Sequence, residues 1–196
     1  MTTKGEKTRQ FIIEQSAILL NKKGMAGTSV SDIMEATKLA KGGIYGNFQS
    51  KEEICQEVFS YLYARLSQRI DAKLQTKATF KEKLLALLDF YEDTSVMEKA
   101  GGCPMINFGA EADDTDPEMK ARVATAIKAS QARIARLVAG GIANAEFSPE
   151  INPQAFAIKM FTMYEGAVLV CKVLDNNQQM KVITDALRQE INAFSL

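Results

Sequence analysis

Apolar residues recur three and four positions apart along nearly the whole chain, and no stretch alternates with the period of two that a half-buried strand requires. That periodicity restricts the fold to packed helices and makes the protein all-α. Ile13, Ala17 and Leu20 share one face of a first helix expected from about Lys4 to Lys23. Ile12 and Leu19 widen that face, and Gly24 closes it as a C-cap. Ser29 with Asp32, and Ser50 with Glu53, carry the spacing of capping boxes and open a short second helix and a long fourth one, roughly 51–75. A third helix fits Ala40 to Asn47, after a tight turn at Lys38-Leu39. A fifth fits 79–93, with Phe80, Leu84, Leu87, Leu88 and Tyr91 as its apolar stripe. Gly101-Gly102-Cys103-Pro104 interrupts the chain before a helix to about Ala112. Asp116-Pro117 and Asn152-Pro153 each place a capping residue before a proline at the first helical position. They start helices reaching about Asn144 and Leu174. The last helix, 176–194, carries Met180, Ile183, Leu187, Ile191 and Phe194 at spacings of three or four. About nine helices result.

The residue inventory narrows the chemistry. There is no histidine, which removes Ser-His-Asp and Cys-His nucleophile machinery and every histidine-dependent metal site. Cys55, Cys103 and Cys171 lie far apart without a CxxC pair, so neither a disulfide framework nor a zinc site is expected. The expectation is therefore a non-enzyme without metal or cofactor. No apolar run approaches the ~18 residues of a membrane span, and the polar start MTTKGEKTRQ does not read as a signal peptide. A cytoplasmic location follows as an expectation. The net charge of zero is unevenly spread. Residues 1–52 hold eight Lys/Arg against five Asp/Glu, net +3, which leaves −3 for the rest. A basic head on an acidic body suits a phosphate-binding module tethered to a neutral partner domain.

The most informative segment runs from Thr28 to Phe48, TSVSDIMEATKLAKGGIYGNF. Val30, Ile33, Met34, Ala36, Leu39, Ile44 and Phe48 would hold two short helices together across a tight turn. What stays outward on the second is Lys41, Gly42, Gly43, Tyr45 and Asn47, a small, polar, cationic face suited to close approach to a DNA groove. With Phe48-x-Ser50-Lys51-Glu52, this stretch resembles the helix-turn-helix signature of TetR-family regulators: Thr-Ser/Thr-Val-x-Asp-Ile, a turn, Lys-Gly-x-Ile/Leu-Tyr-x-x-Phe, then Ser-Lys-Glu. The resemblance covers about residues 7–60. It implies that Lys41, Gly42, Gly43 and Asn47 approach base edges or nearby backbone, and that Thr28, Ser29, Tyr45 and Lys51 bind phosphates. Two positions depart from the family pattern. Ala40 stands where a Ser/Thr cap is usual, and Asn47 replaces a frequent histidine.

The resemblance also implies the organisation: a three-helix DNA-binding domain at 1–52 and a larger helical ligand-binding and dimerisation domain at 53–196. A homodimer would form through helices 153–174 and 176–194, and the partner would be a double-stranded palindromic operator. Gly102 to Glu111, with Tyr164-Glu165-Gly166-Ala167-x4-Lys172, resembles a TetR subgroup in which a cysteine at the Cys103 position senses quinones, aldehydes or oxidants. Thiolate chemistry at Cys103 with a nearby cation such as Lys172 is a coherent sensor, and Cys103 as a buried small residue is the alternative. Asn107, Phe108 and Tyr164 complete the candidate effector residues, with Phe90, Phe161 and Met163 as further candidate cavity lining. Cys55 and Cys171 read as core. The function expected is a DNA-binding regulator, a repressor released by a small apolar or electrophilic ligand. The competing class is a helical-bundle carrier or enzyme whose basic head is incidental.

Overall fold

The computed structural model describes residues 3–93 and 101–196. Among them the elements are α1 (Lys4–Lys23), α2 (Val30–Thr37), α3 (Lys41–Tyr45), α4 (Lys51–Gln75), α5 (Phe80–Glu92), α6 (Pro104–Ala112), α7 (Pro117–Ala143), α8 (Pro153–Leu174) and α9 (Gln178–Ala193). No strand is present among the described residues. The closest approach to one is a single antiparallel bridge between Phe147 and Ser195.

Local chemistry sets these bounds. Thr3 and Glu6 form a reciprocal capping box at the start of α1, Ser29 and Asp32 at α2, and Thr79 and Glu82 at α5. Such a box satisfies two backbone N–H groups that would otherwise have no partner at a helix start. Asp116 accepts from the Glu118 and Met119 N–H groups ahead of α7, and Asn152 from Gln154 and Ala155 ahead of α8. Gly24 ends α1 at φ 81°, a conformation that side chains beyond glycine rarely adopt. The helices that fall furthest short of the spans expected from sequence are α3 and α9. In α3, Ala40 is an extended N-cap (φ −69°, ψ 160°) and Gly46 closes the other end, so the helix spans five residues. At α9, Asp175 turns left-handed after α8, and the helix begins at Gln178.

The described chain packs into two compact units. One comprises the residues up to Leu66 and those from Gly101 to Ala124; the other comprises 67–93 and 125–196. These units divide the chain by packing, whereas the expected division at 52/53 separates it by task. In the first unit α2 packs on α1 and α3, and α6 packs on α1. Its core is built from Ile12, Leu20, Ile33, Ile44, Phe48, Ile54, Phe59 and Phe108, all buried. The Phe59 and Phe108 rings lie 5.6 Å apart. In the second unit α9 packs against α5 and α8. Phe194 meets Phe147 and Phe156 edge-on at 5.0 and 5.3 Å, and the Glu146 carboxylate accepts the Phe80 and Lys81 N–H groups at the start of α5. Met180, Leu187, Ile191 and Phe194, most of the α9 stripe expected at a dimer seam, are buried within the protomer.

Candidate nucleic-acid interface

Helix α2 is amphipathic and short. Ile33 is buried, and the Thr37 hydroxyl donates to the Ile33 carbonyl at 2.8 Å. Lys38 then takes a left-handed conformation (φ 58°, ψ 24°), which turns the chain so that Ala40 can start α3. Ile44 is fully buried beneath α3, and Phe48 follows it into the core. This packing leaves Lys41, Gly42 and Tyr45 exposed and Gly43 half-buried. The Lys41 ammonium sits 5.8 Å from the Tyr45 ring centroid, so cation and aromatic form one contiguous patch. A side chain at Gly42 would meet no atom within 4 Å. The arrangement presents a bare stretch of backbone flanked by one positive charge and one phenol.

The other sequence-derived candidates sit differently. Asn47 is half-buried and its Nδ2 donates to the Gly43 carbonyl at 2.8 Å. Ser29 is exposed and serves α2 as its cap: Asp32 N–H donates to its Oγ, and the Ser29 hydroxyl donates to Asp32 at 2.6 Å. The Ser29 hydroxyl bond, the Lys23 ammonium at 2.9 Å and the Ser29 N–H at 2.7 Å hold the Asp32 carboxyl well below the ordinary carboxylate range. Thr28 is buried, its hydroxyl donating to the Gly24 carbonyl at 2.7 Å. Lys51 is half-buried, and its ammonium donates to the Met25 and Thr28 carbonyls at 2.9 and 3.1 Å. Lys41, Gly42 and Tyr45 thus form the exposed face, and Thr28 and Lys51 brace the loop behind it.

Two residues that the sequence reading missed complete this frame. The Glu111 carboxylate, from α6, accepts the Met25 and Ala26 N–H groups at 3.0 and 2.8 Å. Residue 25 is therefore gripped on its N–H side by an acid and on its C=O side by Lys51. Arg9, from α1, donates from Nη1 to the Asn47 carbonyl at 2.7 Å and pairs through Nη2 with Glu53 at 2.8 Å and Glu57 at 3.5 Å. Its guanidinium carbon lies 4.1 Å from the Phe48 ring centroid. A donated bond from the Gln49 N–H, and then Arg9, lower the Glu53 pKa. Nothing local in sequence marks either residue, because Arg9 is 38 positions from Asn47 and Glu111 is 86 from Met25.

The candidate effector residues fall into both packing units. In the first, Cys103 is buried as the N-cap of α6, and Phe108 is buried one turn on. Asn107 donates through Nδ2 to the Asn21 carbonyl at 2.8 Å, to Asn21 Oδ1 at 3.1 Å and to the Gly101 carbonyl at 3.0 Å. Asn21 in turn donates to the Gly102 carbonyl at 3.0 Å. In the second, Tyr164 is buried and stacked on Tyr91 with ring centroids 3.6 Å apart, while Lys172 is exposed in the last turn of α8. Cys55 and Cys171 are buried free thiols, and burial pushes the Cys55 pKa up to about 11. Among the described residues no group of acidic or cysteine side chains could hold a metal ion, and no helix is long and apolar enough to cross a membrane.

Comparison with known proteins gives this geometry its context. Residues 12–58 match the family described as "Bacterial regulatory proteins, tetR family", and residues 81–187 match "Tetracyclin repressor-like, C-terminal domain". The fold superimposes on a TetR-family transcriptional regulator from Cytophaga hutchinsonii with a TM-score of 0.93 and 33% identity, covering 100% of this chain and 98% of that one. A TetR transcriptional regulator from Chloroflexus aurantiacus gives a TM-score of 0.92 and 34% identity, covering 98% of each chain. The HTH-type transcriptional repressor NemR of Escherichia coli (strain K12) is 22% identical over 171 residues, which is 85% of this chain and 84% of that protein.

Proposed function

Because the chain belongs to the TetR family of bacterial regulatory proteins, we propose that it is a repressor that binds a palindromic operator as a homodimer and leaves it when a small apolar or electrophilic ligand reaches its helical body. The family consists of DNA-binding transcriptional regulators, not enzymes, and its members typically dimerise. The reading puts the protein with DNA in the cytoplasm, and the division of labour is a DNA-binding part at 1–52 and an effector and dimer part at 53–196.

The observation that carries the DNA reading is the exposed face of α3, where Lys41 and Tyr45 flank backbone left open at Gly42. A helix with so little side-chain bulk can lie deep in a major groove, with Lys41 at a base edge or phosphate and Tyr45 at the backbone. Gly43 lets the helix lie close, and Asn47 meets the groove beyond it. Ser29 and the peptide groups around Thr28, steadied by Lys51, meet the flanking phosphates. Selection from a random-sequence duplex pool with the full-length protein tests this directly. A palindrome with half-sites about one helical turn, roughly 34–36 Å, apart is expected, with affinity falling steeply as salt rises. A folded dimer that enriches no sequence would overturn the proposal.

For the effector, the supporting observation is that α6 carries Cys103, Asn107 and Phe108 and also grips the entrance to the reading helices through Asn107 and Glu111. A ligand or thiol adduct that shifts α6 would loosen that grip, and α4 would pass the change between the two parts. NemR, a named repressor, is similar along most of both chains; Cys103 as the reacting thiol is our reading for this chain, with Tyr164 and Lys172 as separate candidate effector contacts within the second unit. Operator release by N-ethylmaleimide should be lost in Cys103→Ser. Cys55 should stay unlabelled in the native protein at pH 8, because a thiol pushed up to about 11 offers almost no thiolate there. Unchanged release in Cys103→Ser would return Cys103 to a packing role.

A further inference from the structure

We propose that Arg9 is a positioning residue for DNA reading: its guanidinium joins the Asn47 carbonyl at the end of α3 to Glu53 and Glu57 of α4 and so sets the pose of the reading helix. This rests on α3 being the DNA reader. Arg9 lies ahead of residues 12–58, the segment that matches the TetR N-terminal family.

A five-residue helix with two glycines and no side-chain N-cap cannot hold itself. Burial of Ile44, and of Phe48 just beyond the helix end, fixes one side of α3, but apolar contacts are non-directional and do not by themselves set its angle. The restraint at the far end is Arg9. One planar group donates at 2.7 Å to the Asn47 carbonyl and at 2.8 Å to Glu53, and it also covers the Phe48 ring at 4.1 Å. The guanidinium fork fixes the angle between its two bonds, which a lysine ammonium on a flexible stem does not. The Asn47 carbonyl it holds lies two residues beyond Tyr45, the last residue of α3. Bonds to base edges demand tighter placement than phosphate contacts, which a mobile basic side chain can follow. Loss of the restraint should therefore weaken operator binding much more than binding to unrelated DNA.

The test compares two duplexes for the full-length dimer: the one recovered from a random pool by the wild-type protein, and a scrambled duplex of equal length and composition. For Arg9→Met, operator affinity should fall about tenfold or more, scrambled-duplex affinity should stay within about twofold, and the salt slope of binding to the scrambled duplex should stay constant. Arg9→Lys should fall between wild type and Arg9→Met. Equal weakening on both duplexes with a salt slope shallower by about one would make Arg9 a phosphate contact and overturn the proposal. Unchanged operator affinity would overturn it too. If Arg9→Met fails to fold, the half-exposed pair Glu53→Gln with Glu57→Gln decides, with a lower operator-to-scrambled ratio expected and an unchanged ratio contradicting the proposal. A wild-type protein that selects no duplex sinks the DNA-reading role of α3 itself, whereas a selective wild type with an equally selective Arg9 series sinks only the role of Arg9.

Discussion

Gly42 separates stability from recognition at the scale of one residue. Alanine is favoured over glycine inside a helix by ~1 kcal/mol, and a Cβ at Gly42 would meet open space. Gly42→Ala should therefore raise the stability of the free protein slightly in urea unfolding while weakening operator binding, because the new methyl projects where the groove wall would lie. Unchanged operator affinity in Gly42→Ala would mean that close approach at this position is not what the glycine serves. Subtraction from sequence put Lys41, Gly42, Gly43, Tyr45 and Asn47 outward, since the apolar positions of the segment had to face in; Lys41, Gly42 and Tyr45 are exposed, and Gly43 and Asn47 are half-buried. The inward bonds of Thr28 and Lys51 were not. A hydroxyl and an ammonium look the same in sequence whether they face phosphate or a backbone carbonyl.

At the scale of the element, α3 is the shortest helix among the described residues. Ala40 already has the extended backbone of an N-cap, yet it supplies no side-chain acceptor. Ala40→Ser would place a hydroxyl near the Gly42 N–H, the Gly43 N–H already donating to the Ala40 carbonyl at 2.8 Å, and should stabilise the protein by ~1 kcal/mol. A thermal melt of the two proteins checks the direction, and no gain would mean that the cap N–H groups are already satisfied by water. Helix α6 shows the opposite economy. Its N-cap, Cys103, also makes no side-chain cap bond, but Asn107 and Glu111 bind α1 and the loop after it, so α6 is held by what it holds. The bounds of α6 were readable from Gly101-Gly102-Cys103-Pro104, whereas α3, expected from Ala40 to Asn47, spans only Lys41–Tyr45. The partners of Asn107 and Glu111 were not, because each lies 86 residues away along the chain.

At the scale of the whole molecule, the question is which surface meets the second copy. The apolar stripe of α9 is consumed inside the protomer. What remains outward on α8 is Ile158, Leu169, Val170, Val173 and Leu174, with Val182 on α9. Gly166, with nothing within 4 Å of a Cβ, leaves room on α8 for close approach by another helix. Val173 is 74% exposed, so a charge there costs the isolated protomer little. Val173→Glu should leave the helical content intact, shift the protein to monomer in sedimentation velocity, and abolish tight operator binding with it. A Val173→Glu protein that remains dimeric would move the interface to another face.

Sequence alone determined the local facts. Helical periodicity argued for helices over strands, capping residues and prolines marked where helices start, the absent histidine removed whole classes of catalysis, and one register of some twenty residues carried the resemblance to the TetR helix-turn-helix. These are legible because each depends on residues within one or two turns of each other. Tertiary structure decided which side chains were left for DNA, ligand or partner. It turned Lys51 and Thr28 inward, it used most of the α9 stripe for the core, and it brought Glu111 to the loop ahead of α2 and Arg9 to the segment after α3 from distant positions. The spacing of apolar residues fixes which face of a helix is buried, but only the packed chain determines what it is buried against.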